Sequence, residues 1–187
     1  MRERFHAKVI LCCAAAFLIS FAARGGAAES RDTSLEYAVK AAYLPKFANY
    51  VDWPASAFET SDSAVSLCIA GVDPFGPAGD SAIQNQRVGE RRIVVRHLDQ
   101  VTRDSGCQIL FIGGDDQKLI AEALDAVRGT RVLTVTEAPA SGGTPSIIRF
   151  VIDDKHVRFS IDTDAAAQNG LSLSSKLLRL SVTPPQQ

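Results

Sequence analysis

The sequence predicts an α/β domain in which one mainly parallel sheet is flanked by helices and carries an antiparallel hairpin at its C-terminal edge. Short apolar runs at 65–70, 91–97, 109–112 and 132–135 alternate with helical patterns, as βαβ units do. Two β-rich runs, 146–152 and 156–161, flank Asp153-Asp154-Lys155, which is a hairpin signal. The 187 residues, 46% hydrophobic and 22% charged, suffice for one ordinary core but not for two full-sized domains.

The elements follow in order. Leu35, Val39, Ala42, Tyr43, Phe47, Tyr50 and Val51 recur at helical spacing, so a helix is expected to end before Trp53-Pro54. Pro45 should kink or split it near Leu44, because proline lacks the N–H and its ring crowds the preceding turn. The strand at 65–70 ends at Gly71 and Asp73-Pro74 and hands over to a helix at 75–84. The run 109–112 stops at Gly113-Gly114, after which Asp115 can cap a helix reaching Val127. Beyond the hairpin, Asp162 or Asp164 can cap a short helix closed by Gly170, and Ser174 or Ser175 a last one. Residues 29–33 and 183–187 read as the linker-like ends.

The N-terminus reads as an address. Arg2, Arg4 and Lys8 precede an apolar run at 9–23, and Gly26 and Ala28 supply the small residues of a cleavage site. A transmembrane anchor is the alternative, but the run is about 15 residues where roughly 20 are needed. The expected organisation is a signal peptide at 1–28 and one domain at 29–187. Cleavage removes four of the 20 basic residues and one of the 21 acidic ones, leaving a mildly acidic chain. With a formal net charge of -1 even before cleavage, nothing favours a nucleic-acid partner. Cys68 and Cys107 are the cysteines that remain, in a compartment that oxidises thiols. A bond between them is the economical expectation, with two separately buried thiols as the alternative.

Motifs for chemistry are sparse. Neither phosphate-binding glycine pattern occurs, and Gly113-Gly114-Asp115-Asp116 offers carboxylates where a phosphate wants donors. His97 and His156 lack zinc-ligand spacing, and no G-x-S-x-G elbow marks a nucleophile. The chain is therefore not expected to be an enzyme, and no cofactor or metal is expected. Gly142-Gly143 permits positive φ and close approach by a backbone or a ligand, or is simply a flexible loop. Tyr37, Tyr43, Phe47, Tyr50, Trp53 and Phe58 gather near the first helix, mostly as core.

Three blocks in this order resemble one family. Val39-Lys40-Ala41-Ala42-Tyr43-Leu44 through Val51-Asp52-Trp53-Pro54 resembles its opening helix, and Leu67-Cys68-Ile69 through Asp73-Pro74-Phe75-Gly76 its first strand and turn. Arg158-Phe159-Ser160-Ile161, Gly170-Leu171 and Ser174-Ser175-Lys176-Leu177-Leu178-Arg179-Leu180 resemble its closing signature. The family is that of the YfiR-like periplasmic proteins. The resemblance, over about residues 36–181, implies a non-enzymatic periplasmic repressor. Such a protein binds the periplasmic part of an inner-membrane diguanylate cyclase, lowers cyclic-di-GMP signalling in biofilm decisions, and dimerises. It also implies that Cys68 and Cys107 form the family's structural disulfide. Pro45, Asp162 in place of Asn, and the stretch Thr144-Pro145-Ser146 depart from the pattern, and a second cysteine pair of some relatives is absent. Arg158, Asp162, Asn169 and Leu171 are the expected partner contacts. A small-ligand receptor, or an adaptor for another membrane signalling protein, is the alternative.

Overall fold

The structure, a computed structural model, describes residues 26–138 and 143–182. Residues 1–25 of the expected signal peptide, Gly142 of the glycine pair and the tail 183–187 lie outside the described residues. The chain divides into Met1–Leu35 and Glu36–Gln187, and both sheets belong to the second unit. No helix among the described residues is long and apolar enough to cross a membrane.

Helix α1 spans Gly26–Ala48, so residues 29–33 are helical rather than linker-like. It runs through Pro45 in its last turn instead of splitting at Leu44. Leu44, Phe47 and Ala48 are almost fully buried on either side of the proline, and that packing outweighs one missing backbone bond. Asn49 seals the end: its backbone N–H and its Nδ2 both donate to the Pro45 carbonyl, at 3.2 and 3.0 Å. The chain then turns into β1 (Val51–Asp52), which removes Val51 from the helix in which its spacing placed it.

The main sheet contains β2 (Val65–Gly71), β3 (Arg87–Val88), β4 (Arg91–Leu98), β5 (Ile109–Gly113), β6 (Leu133–Thr136), β7 (Ile148–Asp153) and β8 (His156–Ile161). Their order is β3-β4-β2-β5-β6-β7-β8. From β4 to β7 neighbours are parallel, while β3–β4 and β7–β8 are antiparallel, as the sequence predicts for the hairpin. Asp154 and Lys155 form the hairpin turn with φ of 46° and 61°, the two left-handed residues that a type I′ turn requires.

Alternation along the central strands divides the core. Leu67, Ile69, Ile109 and Phe111 face one side, with Leu44 and Phe47 of α1 and Ile83 of α2 (Gly76–Gln84). Cys68, Ala70, Leu110 and Ile112 face the other, against Ile120, Ala123 and Leu124 of α3 (Gln117–Ala126). Asp116, one residue beyond the expected Asp115, caps α3 by accepting from the N–H groups of Lys118 and Leu119 at 3.0 and 3.1 Å. Asp162 caps α4 (Thr163–Gln168) and Ser174 caps α5 (Ser175–Leu178).

Between α4 and α5, β9 (Ser172–Leu173) pairs with β1, a two-stranded sheet that the sequence does not announce. Leu171 and Leu177 enter the α1-side core, where Phe47 meets Phe159 at 4.8 Å and Phe150 at 5.6 Å between ring centroids. The closing segment thus ties the last strand of the sheet to the first helix.

Gly71 and Gly113 occur where the ends of β2 and β5 touch. Val72 N–H donates to the Gly113 carbonyl at 3.1 Å, and a Cβ on Gly113 would stand 2.1 Å from the Val72 carbonyl oxygen. Gly113→Ala is therefore expected to cost about 2–3 kcal/mol, since backbone must move to admit the methyl group. An unchanged urea midpoint would show that the contact is soft.

Candidate functional site

The regions where an α/β protein of this topology meets ligands or partners are the carboxyl ends of its parallel strands and its sheet edges. Two strand-end features stand apart. The first is a hollow of about 300 Å³ on the α3 side, lined by Gly71, Asp99, Gln100, Asp116, Lys118 and Glu122 among others. Three carboxylates against one lysine repel an anion. The crossing point between β2 and β5, where a dinucleotide phosphate would sit in a nucleotide-binding relative of this topology, is closed by Val72 against Gly113 and Gly114.

The second feature is a side-chain cluster at the ends of β2 and β4. Asp73 follows β2, and its Oδ1 accepts from the N–H groups of Phe75 and Gly76 at 2.9 and 3.3 Å, opening α2. His97 lies next to the last residue of β4, across from Ile69 of β2. Its Nε2 stands 3.2 Å from Asp73 Oδ2 and 3.5 Å from Oδ2 of Asp80, one turn inside α2. Burial, the largest influence, pushes the Asp80 carboxyl above the ordinary aspartate value; His97 opposes this and Asp73 adds to it. His97 is well separated in sequence from the two aspartates, and the β2–β4 register together with the turn into α2 joins them. No local spacing signals them.

The edge hairpin presents a different surface. Arg158 is exposed on β8, opposite Val151, and Ile152 is 52% exposed near the hairpin tip. The other expected partner contacts make bonds or packing within the chain, Asp162 from a half-buried position and Asn169 and Leu171 from buried ones. Asp162 Oδ1 accepts from Ala165 N–H at 2.8 Å as the α4 cap. Asn169 is buried, accepting from Gly129 N–H at 2.9 Å and donating to the Val132 carbonyl at 2.8 Å. Leu171 is 5% exposed within the core. Of the four, Arg158 has its side chain on the surface.

Gly143 adopts φ of +76° with open space around its Cα, and the residue after it is anchored. Thr144 Oγ1 donates to Asp125 Oδ1 at 2.5 Å and accepts from Arg128 Nε at 2.7 Å. The Thr144 hydroxyl, with Arg128 beside it, holds the Asp125 carboxyl below its ordinary value. Ser146 and Thr136 hydroxyls meet at 2.7 Å. The stretched segment is thus fastened to α3 and β6.

Cys68 and Cys107 are joined in a disulfide, with Cα atoms 5.8 Å apart. The bond packs on the α3 side of the sheet, linking β2 to the residue two before β5. A second hollow, about 280 Å³, opens beside Cys107 at the opposite end of the strands, between Ser56, Thr102, Arg103 and Thr130.

A seven-stranded, mostly parallel sheet with helices on both faces, a terminal hairpin and a disulfide fastening its central strands defines an α/β protein, with a hollow at each end of its parallel strands among the described residues. The chain belongs to the YfiR/HmsC-like family, whose sequence pattern matches residues 37–182. That match takes in the three blocks of the opening helix, the first strand and the closing signature. The family is known for periplasmic regulators of diguanylate cyclases rather than for enzymes. No curated protein matches the chain.

Proposed function

We propose that this protein works in the periplasm, where it binds the periplasmic part of an inner-membrane diguanylate cyclase and represses it. The observation that carries the reading is the family match across 146 residues, 37–182. The Cys68–Cys107 disulfide supports it, since such bonds persist in oxidising compartments. On this reading residues 1–28 are the export signal, residues 29–187 the working domain, and the active form a homodimer. The mechanism is a population shift: the protein favours the inactive arrangement of the cyclase by as much as it binds that arrangement better.

The hairpin is the contact surface on this reading, with Arg158 and Ile152 as its exposed polar and apolar groups. Copurification of the tagged protein from detergent-solubilised envelopes tests the proposal. Recovery of a diguanylate cyclase together with raised cyclic-di-GMP on gene deletion is the expected result. Unchanged cyclic-di-GMP under every envelope stress applied would overturn it, and recovery of another membrane sensor would reassign the pathway. Arg158→Glu is expected to weaken the complex at least tenfold while leaving the thermal midpoint within about 1 °C, as for a surface change outside the core. Full-strength binding by that variant would move the interface elsewhere.

A further inference from the structure

We propose that Asp73, Asp80 and His97 form a binding site for a divalent transition-metal cation of the zinc or cobalt type. Their ligand atoms all lie within 4.8 Å of one another. Ligand atoms about 2.0–2.1 Å from a tetrahedral zinc stand about 3.3 Å apart. The His97 Nε2 separations from the two Oδ2 atoms, 3.2 and 3.5 Å, match two edges of such a polyhedron, and the third separation is within 4.8 Å.

Hydrogen bonding alone does not satisfy the cluster. His97 Nε2 carries at most one proton and faces two carboxylates. Asp80 Oδ1 is buried without a hydrogen-bond partner, and an acceptor left so has lost its water without compensation. The Asp80 side chain is only 19% exposed, and among the described residues neither Asp73 nor Asp80 pairs with a lysine or arginine. A cation held by the Oδ2 atoms would supply positive charge between two like-charged groups, and one chelated by both Asp80 oxygens would also give the orphaned Oδ1 its partner.

The geometry is prepared for this by the fold. Asp73 is oriented by the two N–H groups that its Oδ1 accepts, leaving Oδ2 free to face His97. His97 is fixed by the parallel pairing of β4 with β2, and Asp80 by α2. Half of the imidazole is exposed, so an ion can enter from solvent and retain water in its open positions. One nitrogen and two carboxylate oxygens suit zinc or cobalt; calcium and magnesium prefer all-oxygen shells.

The test uses the untagged protein, stripped with a chelator and titrated calorimetrically with zinc chloride. One saturable equivalent in the micromolar range is expected, with at least tenfold weaker binding in Asp80→Asn and in His97→Gln and unchanged binding in His156→Gln. Asp73 is left intact because it also opens α2. Retained thermal transitions establish that the variants fold. Cobalt chloride gives a readout on the parent protein alone: intense visible bands of a four- or five-coordinate ion are expected. The pale spectrum of hydrated cobalt, no saturable zinc binding, or binding that survives His97→Gln would each overturn the proposal.

Discussion

Lys40→Met is expected to destabilise the protein by about 3–5 kcal/mol, the usual result of removing one partner from a buried ion pair. The Lys40 side chain is 5% exposed, with Nζ 2.5 Å from Glu36 Oε1 and 2.5 Å from Glu137 Oε1. It also lies 4.7 Å from the Tyr37 ring centroid. Glu36 is one helical turn away, whereas Glu137 follows β6, so the lysine fastens α1 to the carboxyl end of the sheet. Methionine fills much of the same volume but leaves two carboxylates facing each other without a cation. Urea denaturation at neutral pH measures the loss, and a change below about 1 kcal/mol would mean that water replaces the lysine.

The same group makes a pH prediction. Burial, the largest single influence, pushes the Lys40 ammonium down, but hydrogen bonds to Glu137 and Glu36 and their charges together carry it above its ordinary 10.5. A raised folded value means that the stabilisation is complete below 10.5 and is lost as pH climbs through the folded value. Parent stability should therefore decline in strongly alkaline solution, and Lys40→Met should lack that component. Parallel declines in the two proteins would assign the alkaline loss to other groups.

Breaking the disulfide by Cys68→Ser is expected to cost about 4 kcal/mol in the chain-entropy account, given a sequence separation of 39. Both half-cystines are buried, at 0% and 6% exposure, so the serine hydroxyl also enters an apolar layer beside Ala70 and Leu110. A loss of this size consumes much of the 5–15 kcal/mol typical of a domain, so cellular abundance should fall as well. Reductant should lower the urea midpoint of the parent and leave that of the double variant Cys68→Ser with Cys107→Ser unaffected. Equal stability of parent and variant would show that the bond contributes little beyond its packing.

Much of the fold was legible because its signals are local. Strands β2, β4, β5, β7 and β8 fall within a residue or two of their apolar runs, and the hairpin turn is where Asp154 and Lys155 place it. The errors arise where packing or backbone geometry outside the spacing pattern decides. Pro45 is tolerated because burial of Leu44 and Phe47 outweighs proline's intrinsic cost, a comparison that spacing does not make. Asp116 rather than Asp115 caps α3, since Gly114, with φ of +88°, carries the turn one residue further.

The site was less legible for the same physical reason. Leu171 belongs to the closing signature and Asn169 stands just before it, but their atoms are used in holding Gly129, Val132 and the core, which only their neighbours in space reveal. His97 carries no pattern of its own; strand register and the first turns of α2 set it between Asp73 and Asp80. The pairing of β1 with β9 depends likewise on a return of the chain after more than a hundred residues.

By itself the sequence determined the α/β class, the edge hairpin, the two cysteines that pair and the family, since periodicity, turn chemistry and motif blocks are all properties of neighbouring residues. The tertiary structure alone decided which motif residues are spent on packing and which remain exposed. It also decided how Lys40 joins a helix to the sheet end and which three distant side chains share one point in space. Those outcomes depend on burial and register, which exist only once the strands have paired.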